Sequence, residues 1–370
     1  MSRLRVLIVE DSLTVRARLI NTLTADPECE VVGEAADGET AVRLCSALRP
    51  DVISLDLMLA REMTGLNVTE HIMAYCPTPI VIVSASFNRG ELVQTFEALA
   101  AGAVEAIEKP TGHEAPGLWE RRFLSTLKLA ARIKVITHPR SRLRGLRGLR
   151  EPERSPAVKS RARNEASDSG IRPPVGAGGS RELIALGAST GGPSAVVEVL
   201  RHAPQVPVLL VIHIGKPFAV GLADWLARVL PMPVCEAVDG LPLPLPGSAR
   251  VIVAPPDRHL VVHNGRLRLS DTPERNSCRP AIDNLFESIA NHLGPRAVGC
   301  LLTGMGRDGA EGLLLMRQRG AATVAQDQAT STVFGMPREA IRLGAAEHVL
   351  PLPEIGPALV RMTRGPAGSS

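Results

Sequence analysis

Apolar residues in the first third of the chain follow two patterns that alternate. Short runs rich in Val, Ile and Leu predict buried strands, and stretches in which apolar residues recur every three or four positions predict amphipathic helices. The predicted strands are Val6–Val9, Val31–Glu34, Val52–Leu55, Ile80–Val83 and Val104–Ile107. The predicted helices include Thr14–Leu23, Thr40–Leu48 and Leu92–Ala100. Strands that each precede a helix indicate a parallel α/β sheet covered on both faces.

The same alternation resumes at Glu182 and continues to about Arg364. The predicted strands are Leu183–Leu186, Val208–Ile212, Val251–Ala254, Val298–Leu302, Thr323–Ala325 and Glu347–Leu350. The predicted helices are Ser194–Arg201, Ala219–Leu230, Ile282–Leu293 and Ala310–Arg319. The pair Asn264-Gly265 between two short strand-like runs predicts a hairpin with a type I′ turn. This half of the chain is therefore predicted to be a second doubly wound, mostly parallel α/β domain with an antiparallel hairpin.

Residues 133–181 carry neither pattern and contain repeated Arg-Gly-Leu units, Pro-Pro and Gly-Gly. We interpret them as a flexible linker between domains at 3–132 and 182–365. The formal net charge of +4 is concentrated between Arg140 and Arg163. A basic stretch can attract nucleic acid or anionic lipid, but a solvated linker fits the missing hydrophobic periodicity better. Aromatic residues make up only 2% of the chain, which argues against a surface that stacks bases, so no nucleic-acid partner is expected.

Neither the cysteines nor the N-terminus points to an exported protein. No two of the six cysteines have C-x-x-C spacing, so we expect reduced core thiols rather than disulfides or a zinc framework. The N-terminal residues lack the features of a signal peptide, and no apolar run is long enough to span a bilayer. We expect a cytoplasmic protein without membrane insertion.

Polar residues stand at the carboxyl ends of four predicted strands in the first domain. Glu10 and Asp11 follow the first strand, Asp56 follows the third, Ser84 follows the fourth and Lys109 follows the fifth. In a parallel sheet these ends meet at one edge, so the side chains are expected to converge there. Three carboxylates suit Mg²⁺, one of them can accept a phosphoryl group, and lysine and hydroxyl groups can bind the new oxygens. Single acids and lysines often end strands in solvent, so only their joint placement supports this interpretation.

This arrangement resembles the receiver domain of response regulators, which implies a flavodoxin-like (βα)5 fold. The resemblance makes Asp56 the phosphoacceptor and makes Ser84 and Lys109 the residues that sense the phosphoryl group. The implied Mg²⁺ ligands are Glu10, Asp11, Asp56 and the backbone carbonyl of Met58.

Three features depart from the receiver pattern. Leu59-Ala60 replaces the usual Met-Pro, Thr64-Gly65 replaces the usual Asp-Gly, and Ala106 replaces the aromatic residue three positions before the lysine. The chemistry of phosphorylation is preserved, while the route by which its signal is transmitted is left open.

In the second domain, a predicted strand leads into a G-x-S-x-G turn centred on Ser189 and then into a helix. Such a turn can expose a nucleophilic serine, although a glycine-rich phosphate loop is an alternative. His213 ends the neighbouring strand and could act as the base, although single histidines are more often structural. Asp308 lies in a glycine-rich turn, where it could orient the histidine or simply cap a helix. The order Ser, His, Asp differs from that of α/β-hydrolases.

Five segments of this domain closely resemble the catalytic domain of chemotaxis protein-glutamate methylesterases, the CheB family. They are G-A-S-T-G-G-P, V-A-P-P-D-R-H-L, R-P-A-I-D-N-L-F, L-T-G-M-G-R-D-G-A and A-Q-D-Q-A-T-S-T-V-F-G-M-P. The resemblance implies that Ser189 is the nucleophile, His213 the general acid and base, and Asp308 the residue that orients the imidazole. It also implies an oxyanion hole from the backbone amides of Thr190 and Met305, and no cofactor for the esterase. Ile212 and Ile214-Gly215 depart from the family beside the histidine.

The resemblance also implies substrates, partners and control. The enzyme would demethylate glutamyl methyl esters and deamidate glutamines on the cytoplasmic helices of chemoreceptors, and a sensor histidine kinase would be its phosphodonor. The unphosphorylated receiver would block the esterase cleft, and we predict that the docking interface rather than the linker sets the coupling. A DNA-binding response regulator is disfavoured because the second domain alternates strands and helices. A hydrolase of small esters and a degenerate scaffold are further alternatives.

Overall fold

The structure, a computed structural model, describes residues 3–59, 62–85, 89–112, 114–133 and 181–364. Ala60 and almost all of the predicted linker lie outside these residues. No helix among the described residues combines the length and apolar character needed to cross a membrane.

The N-terminal half contains a five-stranded sheet in the order β2-β1-β3-β4-β5, in which every pairing is parallel. Its strands are β1 Leu4–Val9, β2 Cys29–Ala35, β3 Val52–Leu55, β4 Ile80–Ser84 and β5 Glu105–Glu108. Its helices are α1 Leu13–Thr24, α2 Gly38–Leu48, α3 Gly65–Tyr75, α4 Arg89–Ala100 and α5 Leu118–Ala130. Strands β3 and β4 are buried along their whole length, as expected for a sheet covered on both faces. The predicted (βα)5 fold is confirmed.

Polar side chains fix where several of these helices begin. The hydroxyl of Ser12 accepts from the amide of Val15, and the carboxylate of Asp37 accepts from the amide of Thr40. Helix α3 begins with a capping box in which Thr64 and Asn67 bind each other's backbone amides. Each cap supplies an acceptor for an amide that the helix itself leaves unpaired.

The C-terminal half contains a seven-stranded parallel sheet in the order β14-β13-β12-β6-β7-β9-β8. The strands, with the separate hairpin β10–β11, are β6 Leu183–Ala188, β7 Val208–Ile212, β8 Val234–Glu236, β9 Val251–Val253, β10 His259–His263, β11 Arg266–Ser270, β12 Ala297–Leu301, β13 Ala322–Gln326 and β14 His348–Leu350. The helices are α6 Gly192–Leu200, α7 Lys216–Val229, α8 Ile282–His292, α9 Ala310–Gln318, α10 Met336–Arg342 and α11 Leu352–Thr363. The predicted doubly wound domain is confirmed, whereas β8, α10 and α11 were not predicted.

The hairpin β10–β11 has the turn that its sequence predicts. Asn264 and Gly265 both have positive φ angles, 49° and 71°, as a type I′ turn requires. Leu260 and Leu267 are buried, and they belong to an apolar cluster that also contains Phe286 of α8. The hairpin is therefore anchored to the helix that follows it in the chain.

The two halves of the molecule pack directly against each other. Phe96 of α4 stacks on Trp225 of α7 with ring centroids 5.1 Å apart, and both side chains are fully buried. Leu92 of α4 lies against the backbone of Gly221 in α7. Buried residues of both halves form one continuous apolar cluster, so the N-terminal half is docked rather than merely tethered.

Candidate functional site

Ser189 lies on a tight turn between β6 and α6. Its amide donates to the carbonyl of Thr303 at the end of β12, 3.0 Å away. Two glycines close to the serine, Gly191 in the same turn and Gly304 in the turn after β12, leave no room for a side chain. A Cβ on Gly191, which has φ 75°, would lie 2.4 Å from Thr332 Oγ1, and a Cβ on Gly304 would lie 2.6 Å from Ser189 Cβ. These close approaches hold the hydroxyl-bearing residue at the carboxyl edge of the sheet.

His213 follows β7 beside this turn, since its amide donates to the carbonyl of Ala188 at 2.9 Å. Its Nε2 lies 2.9 Å from Asp308 Oδ2, although Nε2 has no well-aligned hydrogen-bond partner among the described residues. Its Nδ1 lies 3.6 Å from the Sγ of Cys278. The two ring nitrogens thus face Asp308 and Cys278 rather than the hydroxyl of Ser189.

The carboxylate of Asp308 is held by the first turn of α8. It accepts from the amides of Ile282 at 2.7 Å and Asp283 at 3.1 Å, and from the side chain of Asn276 at 3.2 Å. Asp308 therefore caps α8, while the helix that follows it in sequence is preceded by Gly309. Burial alone would raise the pKa of Asp308, but the imidazole and the two amides outweigh it and hold the pKa below its ordinary range.

The contact with Asp308 also changes the pKa of His213. Burial alone would lower the pKa of the imidazole, but the nearby Asp308 carboxylate and the Cys278 side chain outweigh it and raise the pKa to about 9. In this arrangement the ring is protonated at neutral pH and is paired with Asp308. The residue predicted to be the base therefore already carries the proton that a base would have to accept.

Thr190 and Met305, the predicted oxyanion-hole residues, both lie beside the serine. Met305 follows Gly304, which touches Ser189, and its side chain is exposed. The carbonyl of Thr190 accepts from the hydroxyl of Thr303 at 3.0 Å, which ties the serine turn to the end of β12. Among the described residues, the backbone amides of Thr190 and Met305 have no backbone acceptor.

At the carboxyl edge of the other sheet, Lys109 joins two of the predicted acids. Its Nζ donates to Asp56 Oδ2 at 2.7 Å and to Glu10 Oε1 at 2.9 Å. Glu10, Asp11 and Asp56 each offer an oxygen within 4.8 Å of the others, and Glu10 Oε2 is buried without a partner in the described part of the chain. Burial and the neighbouring Asp56 raise the pKa of Glu10 to about 7. A buried carboxylate oxygen without a donor fits a hard divalent cation.

Two other predicted residues complete this crevice. Ser84 is fully buried at the end of β4, and its hydroxyl has no partner among the described residues. The amide of Met58 donates to Asp56 Oδ1 at 3.2 Å, so its backbone lies against the predicted phosphoacceptor. The departure at Thr64-Gly65 keeps the geometry of the crevice, because a Cβ on Gly65 would lie 2.3 Å from the carbonyl of Asp56.

The cleft at Ser189 has a volume of about 660 Å³ and is lined by both halves of the molecule. Glu105 and Arg122 of the N-terminal half face Ser189 and His213 of the C-terminal half across it. The hydroxyl of Thr190 donates to Glu105 Oε2 at 2.9 Å. Burial at this interface raises the pKa of the Glu105 carboxyl, while the hydrogen bond from Thr190 opposes that shift.

Fold and site define a two-domain protein in which a receiver-type α/β domain is docked on a hydrolase domain with serine, histidine and aspartate at one sheet edge. Family models described as CheB methylesterase and as response regulator receiver domain match residues 184–359 and 6–115. The chain belongs to the CheB methylesterase family.

Similar proteins cover nearly the whole chain. "Protein-glutamate methylesterase/protein-glutamine glutaminase 2" of Anaeromyxobacter dehalogenans is 42% identical over 98% of this chain and 97% of its own length. A protein of the same description, numbered 4, from Myxococcus xanthus is 39% identical over 99% of this chain and 98% of its own. The crystal structure of the Thermotoga maritima CheB methylesterase catalytic domain is 32% identical, covers 50% of this chain and 99% of its own, and has a TM-score of 0.46.

Sequence reasoning missed two residues of the cleft. It placed all the cysteines in cores, which is wrong for the exposed Cys235 and for the half-buried Cys278, although all six are free. The position of Cys278 directly before the R-P-A-I-D-N-L-F segment was the available signal. Glu105 gave no signal, because an acid at the start of a strand is ordinary until the opposing domain is known.

Proposed function

We propose that the chain is a phosphorylation-regulated protein-glutamate methylesterase of the cytoplasm, with glutaminase activity, that acts on chemoreceptors. The main observation in support of this proposal is that Ser189 and His213 lie at the ends of adjacent strands, with Asp308 2.9 Å from the imidazole. Relatives that match nearly the whole chain and are described as protein-glutamate methylesterase/protein-glutamine glutaminase support the same two activities.

In the proposed reaction, His213 takes the proton of Ser189 while Oγ attacks the carbonyl carbon of a glutamyl methyl ester. The backbone amides of Thr190 and Met305 would stabilise the resulting oxyanion, a contribution of about 2.7 to 4 kcal/mol per donor in related chemistry. The imidazolium then protonates the leaving methanol, and water hydrolyses the acyl-enzyme by the reverse sequence. On a glutamine side chain the same steps release ammonia.

The imidazole must move before this reaction can begin. One of its nitrogens has to reach Ser189 while the other keeps Asp308, yet Nδ1 now lies 3.6 Å from Cys278. The docked receiver domain lines the same cleft, so the structure corresponds to the closed, inactive arrangement in this proposal. Hydrogen bonds of catalytic groups are often long before substrate binds.

Release of the receiver domain would follow phosphorylation of Asp56 by a sensor histidine kinase. Glu10, Asp11, Asp56 and the carbonyl of Met58 would hold Mg²⁺, which neutralises charge on the transferred phosphoryl group. Lys109 and Ser84 would bind the phosphoryl oxygens. Drawing Lys109 and Ser84 to that group would alter the ends of β4 and β5, and β5 and α4 both contact the esterase domain.

The decisive experiment measures methanol release from membranes that bear methylated chemoreceptors, with and without a small phosphodonor. The full chain is compared with Ser189→Ala and with Ser270→Ala, a control on strand β11 at a residue that does not line the cleft. Release that requires Ser189 and rises with phosphodonor is expected. Release that survives Ser189→Ala would refute the assigned nucleophile, and release confined to small esters would refute the receptor substrate.

A further inference from the structure

Three donor groups of different chemistry converge beside the esterase serine. His213 follows β7, Asp308 follows β12, and Cys278 lies in the segment that precedes α8. Each offers one ligand atom, and these atoms all lie within 4.8 Å of one another. The proposed ester hydrolysis uses the imidazole and the carboxylate but gives the thiol no task.

The thiol is placed there by a strained backbone. Arg275 and Cys278 exchange backbone hydrogen bonds of 3.1 and 2.9 Å, which closes a tight turn. The two residues inside it, Asn276 and Ser277, have positive φ angles of 52° and 60°. Such conformations cost about 1 to 3 kcal/mol each for residues other than glycine and concentrate at functional sites. The turn aims the half-buried Sγ of Cys278 at the imidazole rather than into a core.

We propose that His213, Cys278 and Asp308 form a binding site for Zn²⁺, and that the bound metal reversibly inhibits the esterase. Imidazole, thiolate and carboxylate are the donor types that zinc takes in proteins. Zinc–ligand bonds of about 2.0 to 2.3 Å place tetrahedral ligand atoms about 3 to 4 Å apart. The measured separations join different ring nitrogens, 2.9 Å from Nε2 to Asp308 and 3.6 Å from Nδ1 to Cys278, whereas a metal takes only one of them. One ligand atom of each residue already lies within 4.8 Å of the other two, and rotation of the imidazole and the thiol would bring a single nitrogen and both other donors to one ion.

His213 and Cys278 line the cleft together with Ser189, so a water molecule from the cleft would supply the fourth ligand of a zinc ion held there. Binding displaces the thiol proton of Cys278 and the extra proton of the imidazole, so the affinity rises with pH. The site differs from the acidic crevice at Asp56, whose oxygen donors suit magnesium. Magnesium avoids thiolate, so conditions that permit phosphorylation leave the proposed zinc site free.

Zinc would inhibit the esterase because it binds the lone pair of the His213 imidazole. An imidazole bound to zinc cannot accept the proton of Ser189, and Asp308 no longer orients a free base. This consequence for activity rests on the proposed function, whereas metal binding itself does not.

The test uses Co²⁺ as a spectroscopic substitute for zinc on the full chain in the presence of excess Mg²⁺. A cobalt–thiolate bond gives a charge-transfer band in the near ultraviolet, which oxygen ligands at the acidic crevice cannot produce. We expect the band in the wild type, in Ser189→Ala and in Cys235→Ser, which removes the exposed cysteine. In Cys278→Ser and Cys278→Ala we expect the band to disappear and cobalt affinity to fall at least about tenfold.

Zinc inhibition of methanol release is measured on the same proteins and reversed with a chelator. Relative to each variant's own activity, Cys278→Ser should need at least about tenfold more zinc for half inhibition, and Cys235→Ser should not. A band that persists in folded Cys278 variants, or that depends on Cys235, overturns the proposal. A band that is absent from an active esterase also overturns it. A Cys278-dependent band on a chain without esterase activity supports the metal site and refutes the proposed function.

Discussion

The closed arrangement can be disturbed at one position without damage to either domain's core. Gly221 lies in α7, where a Cβ would stand 3.2 Å from Leu92 Cβ, 3.3 Å from Leu92 Cδ1 and 3.5 Å from Phe96 Cε2. All of these atoms belong to α4 of the receiver domain. Replacing a mid-helix glycine by alanine favours the helix by about 0.5 to 1 kcal/mol, so the esterase domain itself should not be weakened.

The size of the effect follows from these distances. Alanine needs a shift of a few tenths of an ångström, whereas the further atoms of leucine have no room between α7 and α4. Overpacking of this kind costs about 1 to 3 kcal/mol. Undocking of the receiver domain relieves this overpacking. The fraction of unphosphorylated protein in the open arrangement should therefore rise about 5- to 150-fold, with complete opening as the upper limit. Activity without phosphodonor should therefore be lowest in the wild type, higher in Gly221→Ala and highest in Gly221→Leu.

Methanol release without and with phosphodonor checks this order. Val220→Leu is the matched control, because Val220 precedes Gly221 on the same helix and is 64% exposed. Gly221→Leu should lose most of its response to phosphodonor, and Val220→Leu should keep it. A folded Gly221→Leu protein with unchanged unphosphorylated activity would show that the α4–α7 contact does not hold the enzyme closed. An equal rise in Val220→Leu would do the same.

Four further outcomes are expected. Asp56→Asn should abolish phosphodonor stimulation of methanol release while the unphosphorylated rate persists. Asp308→Asn should lower kcat by about 10⁴-fold, as loss of the orienting carboxylate does in related triads, with little change in KM. Because the pKa of His213 is raised from 6.5 to about 9, the activity of the unphosphorylated protein should increase as the pH approaches 9. The ion pair of His213 with Asp308 should stabilise the fold fully below pH 6.5, and thermal unfolding should show that this stabilisation is lost as the pH rises through 9. Gly304→Ala should lower kcat, because the added Cβ would lie 2.6 Å from Ser189 Cβ. The fold increase in activity on addition of phosphodonor should stay the same as in the wild type.

The sequence predicted most of the sheet because buried parallel strands carry a strong local signal. The elements that it missed depend on tertiary contacts instead. Strand β8 has only three residues, and α10 is a seven-residue helix that begins with Met336-Pro337. Helix α11 contains Pro357, which normally argues against a helix. Its buried residue Ile355 belongs to the large apolar cluster, so tertiary packing overrides the local preference.

The site could be read from the sequence only as far as strand ends and motif similarity allowed. The sequence alone does not indicate a structural role for the segments A-Q-D and G-M-P, but in the structure both support the turn that carries the serine. Gln326 Oε1 accepts from the amide of Thr303 at 2.8 Å, and the carbonyl of Thr303 in turn accepts from the amide of Ser189. The side chain of Met336 packs against Gly304 beside the serine. These contacts join residues that are distant in sequence, so no local pattern reveals them.

The absence of an aromatic residue at position 106 does not disconnect the two sites. Strand β5 leads directly to Lys109, which binds Asp56 at 2.7 Å, and it begins with Glu105, which accepts from Thr190 at 2.9 Å. A phosphoryl group on Asp56 would draw the lysine to its oxygens, and Glu105 is only four residues away on the same strand. Thr190 in turn follows Ser189, the proposed nucleophile. Separation of the domains would remove the hydrogen bond from Thr190, while Glu105 keeps the one from the amide of Ala106 at 3.2 Å. Strand β5 therefore joins the two sites directly, with no need for an aromatic residue at position 106.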